Sequence, residues 1–274
     1  MTTKALNPNG YGLVPASYTA FRRPGPGRVT AAEWAAASRT ARFVDMVTGE
    51  PAVLDTTAAA LWDDEALHIR FWAAEPAVSA TMTQRDSLLF FENDLEIFVD
   101  GGDAYYELEL NALGTVYEVF YIWRDAYTRG SRWAVPRFDV HSPQVHSFAG
   151  DHPLTPEAFW PGCHPRGTRW AFLDYDLPGL QVSVEVDGVL NDPATVDRGW
   201  TATVVLPWTG LADLANGRSL PPVPGDTWGI FFGRFQQVGA RDGSRVTAGW
   251  AANPHGVADT HLPESFTQVT FAAR

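Results

Sequence analysis

The chain carries a single cysteine, Cys163, in 274 residues. An internal disulfide is therefore impossible, and no thiolate set for zinc exists. Basic residues are scarce: 20 Lys and Arg stand against 32 Asp and Glu, a formal net charge of −12. Such a surface repels a phosphate backbone or an anionic bilayer, so neither nucleic acid nor a membrane is an expected partner. No apolar run approaches the roughly 20 residues of a membrane span, and the opening MTTKALNPNGYGLVPASY lacks the apolar core of a secretory signal. A soluble, cytoplasmic protein is the expectation. Repeats, linkers and low-complexity tracts are also missing, which favours one domain.

Aromatic residues are plentiful, with eleven Trp, and 24 Gly and 20 Pro are spread along the chain. This composition fits a folded protein with many turns. The most regular stretch is RDSLLFFENDLEIFVDGGDAYYELELNALGTVYEVFYIW, residues 85–123. Its three alternating runs, separated by Gly-Gly-Asp and Asn-Ala-Leu-Gly, predict an antiparallel meander. One side takes Leu95, Ile97, Val99, Tyr106, Leu108, Leu110, Val116, Phe120 and Ile122, with Glu118 an acidic exception. The other takes Glu96, Phe98, Tyr105, Glu107, Glu109, Asn111, Tyr117, Tyr121 and Trp123. Rings beside fixed acceptors suit a sugar, whose C–H faces stack while its hydroxyls need directed partners. The competing reading is a second packed face under another layer.

Residues 1–29 read as an N-terminal arm lying over the fold or fraying, and residues 30–274 as the domain. TAAEWAAAS predicts a short helix with Thr30 and Glu33 as a capping box. TTAAALWDDEALHIRFWAAEP predicts a hairpin turning at Asp63-Asp64-Glu65. Residues 124–170 lose all periodicity, as expected of an insertion that packs over or builds a site. Its His141, His146, His152 and His164 match no ligand spacing and read as loop histidines. Strands are then expected at 182–186, 200–206, 228–234, near Trp250 and at 266–271.

Taken in order, TTAAALWDDEALHIRF, QRDSLLFFENDLEIFVDGG, YYELELNALGTVYE, GVLNDPATVDRGWTATVVLPW, PGDTWGIFFGRF, GWAANP and HLPESFTQVTF resemble the family 9 carbohydrate-binding modules. The resemblance covers most of residues 55–272. It implies an all-β fold, a jelly-roll-like β-sandwich of two antiparallel sheets, here with a long loop insertion and a short helix. It also implies a sugar clamped between two rings, structural Ca2+ and no organic cofactor.

Carried over by position, one clamp is Trp250, and the other lies at Phe90 or Phe91, where the family commonly has tryptophan. Glu96 and Asn111 would meet sugar hydroxyls. Arg234 would donate two parallel bonds there or instead form an ion pair at the sheet edge. Calcium candidates are Asp94, Asp100, Asp103, Asp192 and Asp197, whose loops offer oxygen ligands.

Two functions follow. One is a stand-alone module binding a mono- or oligosaccharide. The other is an enzyme acting on a glycoside or other polar small molecule in the sandwich cleft, with Glu96, Glu107 and Glu109 supplying acid and base.

Overall fold

The computed structural model describes residues 14–25, 27–148, 164–239 and 245–274. His152 and Cys163 lie outside them. The described strands are β1 (Ser17–Arg22), β2 (Val44–Asp45), β3 (Thr56–Trp62), β4 (Ala66–Ala74), β5 (Asp94–Asp100), β6 (Ala104–Leu110) and β7 (Val116–Trp123). They continue with β8 (Val145–Phe148), β9 (Arg169–Phe172), β10 (Gln181–Asp187), β11 (Gly199–Pro207), β12 (Thr227–Gly239), β13 (Arg245–Ala251) and β14 (Thr267–Ala272). Helices are short, α1 (Ala31–Ala36) and α2 (Ala212–Ala215). The expected capping box is present at α1, where Thr30 accepts from the Glu33 amide and Glu33 accepts from the Thr30 amide.

The fold is all-β. One hydrogen-bonded path runs β10-β11-β4-β3-β1-β14-β12-β5-β6-β7-β9-β8, with β13 branching from β12 to β2. The long strand β12 holds β14 through its first residues, β5 through its middle and β13 through its end. It thereby joins the two layers of the sandwich. Between them sits one core, in which Ile69 and Phe71 of β4, Ala202 and Val204 of β11, Ile97 of β5, Leu108 of β6 and Phe232 of β12 are buried together. Phe71 and Phe232 meet edge to face with centroids 6.2 Å apart.

Residues 17–22 of the expected arm are a strand inside the sheet. β1 pairs in parallel with both β3 and β14, so the sheets are not purely antiparallel. Its alternation was too short to stand out, and its Tyr18 and Ala20 reach the core only because β14 arrives beside it. Within the insertion, β8 and β9 extend the meander beyond β7.

Glu118 is explained by this layering. It points into the core with the rest of its set, and the Tyr106 hydroxyl (2.6 Å), the Leu177 amide (2.9 Å) and Arg85 satisfy it there.

Candidate functional site

The mixed face of the meander is packed at one end and open at the other. Toward the packed end Phe98, Tyr105, Trp123, Phe231 and Phe266 form a second buried cluster. Toward the other lies a cleft of about 740 Å³. Glu96 of β5, Glu107 and Glu109 of β6 and Tyr117 and Tyr121 of β7 form its floor. Phe90 and Phe91 stand on the 3-10 turn Leu89–Phe91, just before β5. Phe148 of β8, Phe235 of β12, Met46 and residues 258–261 complete the wall. Gly233 lies opposite Glu96 on β12, and a Cβ there would come 2.3 Å from the Phe231 ring. Only glycine keeps that ring in place beside the acid.

The rings fall into two groups. Phe90 and Phe91 lie 4.6 Å apart, and Phe90 meets Tyr117 edge to face at 6.0 Å. Across the floor, Tyr121 stacks on Tyr105 at 4.6 Å and meets Phe148 edge to face at 5.0 Å.

Carboxylates are crowded below them. Glu96 faces Glu109 directly across the β5–β6 pair, a like-charge juxtaposition that destabilises a sheet unless something compensates it. Burial, and then neighbouring Asp94 and Glu107, push the Glu96 carboxyl well above its usual range. Burial, followed by Asp94, Glu107 and Glu96, does the same to Glu109. Burial also lifts Glu107, to about 7, against the Tyr121 hydroxyl (2.6 Å) and a bond from Glu109 that favour its charged form. His261, with Nδ1 3.1 Å from the Tyr105 hydroxyl, is kept neutral by burial and by Arg169.

The structure gathers Phe90, Phe91, Glu96, Glu107 and Glu109 and excludes the other expected ligand contacts. Trp250 is a correction: its indole is only 2% exposed and belongs to the core between the layers. It pairs in register with Arg234, whose guanidinium lies 5.3 Å from the indole ring centre. Arg234 is itself fully buried, with an ion pair to Glu75 (3.2 Å) and donations to Thr56, Gln236 and the Ala74 carbonyl. It is the ion pair that the sequence allowed, placed inside the sandwich. Asn111 closes the β6–β7 turn, accepting from the Leu113 and Thr115 amides and donating to Glu92 and the Met82 carbonyl.

The aspartates scatter. Asp100 accepts from the Gly102 amide, Asp103 from Arg132 and Trp133, Asp192 from Ala194 and Thr195, and Asp197 from Val78 and Val189. Those turn bonds occupy oxygens that an ion would need. Only Asp94 lies beside other carboxylates, with Glu96 and Glu109.

Sequence reasoning placed Tyr117 and Tyr121 on the correct face without giving them a role. It missed Phe148, Phe235 and the 258–261 loop. Phe235 was legible by parity, since it alternates with Arg234 and so leaves the core side of β12. Phe148 carried no such signal.

A larger cavity of about 920 Å³ lies outside β4, β10 and β11. There Arg70 is paired with Glu185, Thr201 and Thr203 and His68 Nε2 with Asp63, while His68 Nδ1 has no partner. The smaller cleft retains buried oxygens without partners, on Glu96, Glu109 and Tyr117.

Fold and cleft together define a β-sandwich protein with an aromatic, acidic cleft on the outer face of one layer. No family profile and no curated protein matches the chain by sequence. Among solved structures, a Bacteroides uniformis protein provisionally assigned as carbohydrate-binding shares the fold with a TM-score of 0.55 and 13% identity. The match covers 93% of this chain and 99% of that one. A family 9 carbohydrate-binding module from Caldicellulosiruptor kristjanssonii, in complex with cellotriose, gives a TM-score of 0.49 at 11% identity, over 94% and 95% of the two chains.

Proposed function

We propose that this protein binds a carbohydrate in the cleft of the β5–β7 face. The observation that carries the reading is the coincidence of ring faces with buried acceptors that have no protein donor: Glu96 Oε2, Glu109 Oε2 and the Tyr117 hydroxyl. A buried acceptor left unpaired costs about 1–3 kcal/mol. Sugar hydroxyls supply donors in fixed directions, while the C–H face of the same ring covers Phe90, Phe91 or Phe148. The fold shared with a protein assigned to carbohydrate binding supports this.

Calorimetry against a panel of neutral and acidic mono- and oligosaccharides tests it. At least one sugar is expected to bind, and the pair Phe90→Ala, Phe91→Ala to weaken it tenfold or more, at about 1 kcal/mol or more per ring. The melting temperature should move by only about 2 °C, since Phe91 is 65% exposed and Phe90 half-buried. Absence of heat with every sugar overturns the reading.

One feature favours a second reading, an enzyme acting on a glycoside. Glu107, raised to about 7 by burial, beside Glu109, raised well above its usual range, and with Tyr121 bonded to Glu107, resembles an acid–base pair poised near neutrality. If chromogenic glycosides are turned over, Glu107→Gln with Glu109→Gln should reduce kcat more than a hundredfold. Turnover that survives the double replacement removes the pair from the chemistry.

A further inference from the structure

Glu96 and Glu109 line the cleft, and Asp94 stands beside them. One oxygen from each lies within 4.8 Å of the others. Asp94 is wholly buried, Glu96 is 3% exposed and Glu109 1%. Each also keeps one oxygen with no hydrogen-bond partner: Asp94 Oδ2, Glu96 Oε2 and Glu109 Oε2. The other Asp94 oxygen accepts from the Phe235 amide at 3.1 Å, which fixes the direction of the free one. Among the described residues no uncommitted cation faces the group. Arg234, the basic side chain acting on Asp94, is committed to Glu75 and Gln236, and His261 across the cleft is neutral. Glu107, Tyr117 and Tyr121 add only further acceptors and hydroxyls.

We infer that Asp94, Glu96 and Glu109 form a binding site for one hard divalent cation of calcium size. Oxygens around Ca2+ stand 2.3–2.6 Å from the ion, so any two of its ligands lie at most roughly 5.2 Å apart, and three oxygens within 4.8 Å of one another fit inside that shell. Mg2+ demands near-ideal octahedral geometry and gives up its waters reluctantly, so a site of three crowded carboxylates suits it less well. Three carboxylates and no sulfur or free imidazole select an oxygen-seeking ion. Three side chains leave coordination positions of a six- to eight-ligand shell open, and Glu96 and Glu109 turn those positions toward the cleft, where water or ligand hydroxyls would fill them.

The ion also answers the sheet's own difficulty, because it bridges Glu96 and Glu109, the like charges set opposite each other across β5 and β6. This site is distinct from the turn aspartates at 100, 103, 192 and 197. It stands whether or not the protein binds a sugar, since no sugar enters its test.

The test uses the full chain stripped with chelator. Titration with CaCl2 is expected to give one saturable site. A hundredfold excess over Kd should raise the melting temperature by roughly 5–10 °C, with a smaller rise from MgCl2. Tb3+, an oxygen-seeking probe of similar size, is expected to luminesce on excitation of Tyr117 and Tyr121, and CaCl2 to quench it by displacement. Asp94→Asn, which keeps the acceptor for the Phe235 amide, and Glu109→Gln should each weaken Ca2+ at least tenfold. Both replace a buried carboxyl with an amide of the same shape and are expected to fold. Absence of saturable Ca2+ binding overturns the inference. So does wild-type affinity in both variants, which would put the ion elsewhere.

Discussion

Replacing Arg234 with Met is expected to destabilise the protein by about 3–5 kcal/mol, the usual consequence of stranding one member of a buried ion pair. The guanidinium is fully buried and keeps its charge at neutral pH, although burial lowers its pKa to about 10. It organises a network rather than a single contact. Glu75 accepts from Arg234 (3.2 Å), Trp200 Nε1 (2.9 Å), Asn93 (2.7 Å) and Gln236 (3.1 Å). Loss of Arg234 leaves the Glu75 charge in the interior with neutral donors only. The melting temperature should fall by roughly 10 °C, read by far-UV circular dichroism. Adding Glu75→Gln should recover part of the loss, because the amide oxygen still accepts from Trp200 and the unpaired charge is gone. If Arg234→Met melts like the wild type while sugar binding disappears, Arg234 belongs to the cleft and its placement between the layers is wrong.

The second large effect is expected at Trp250. Truncation to Ala removes an indole from the core between the layers and should cost about 3–5 kcal/mol, from lost burial and the cavity left behind. Any sugar affinity, measured well below the melting transition, should change by less than about twofold. That outcome is the reverse of what a clamp residue gives, since a clamp lost to Ala abolishes binding and leaves stability nearly untouched. Thermal denaturation beside calorimetry separates the two. Because Arg234 and Trp250 are paired across β12 and β13 with the cation against the ring, the double variant should be less destabilised than the sum of the single ones.

These predictions come from positions where the sequence was misleading for a definable reason. Trp250 has the composition of a binding residue, a large ring beside Gly249 and ahead of the Asn-Pro turn. Its direction is set by the register of β13 on β12, where it lies opposite Arg234 and so shares the core side. Two-residue alternation identifies which residues share a face but not which face is covered, and β13 is too short and polar at its start to reveal it. On the meander the same rule worked well. Three long runs of opposite parity separated the core set from the set bearing Glu96, Glu107, Glu109, Tyr117 and Tyr121. Even there, Phe98, Tyr105 and Trp123 are packed away while the glutamates, Tyr117 and Tyr121 line a cleft. That division depends on where loop 252–266 and β8 come to rest.

The turn aspartates show the same limit. Asp100, Asp103, Asp192 and Asp197 sit in sequence contexts that suit calcium and turn-capping equally, and in the fold Asp100, Asp192 and Asp197 accept from backbone amides while Asp103 accepts from Arg132 and Trp133. Asp94 and Glu96 alternate on β5, whereas Glu109 lies beyond a turn and a strand reversal on β6. Only the β5–β6 register brings them within one ion's reach.

The sequence by itself determined the meander, the first hairpin, the capped helix and the parity of the long strands, because these follow from local alternation and turn chemistry; the layered β architecture came from the family resemblance. Tertiary structure alone decided that β1 is an internal strand, that Trp250 and Arg234 face inward, and that three carboxylates converge beneath a ring of aromatic side chains. Those facts depend on pairings between residues far apart in the chain: strand order places β1 inside the sheet, and a register shifted by one residue would turn Trp250 and Arg234 outward and part the carboxylates.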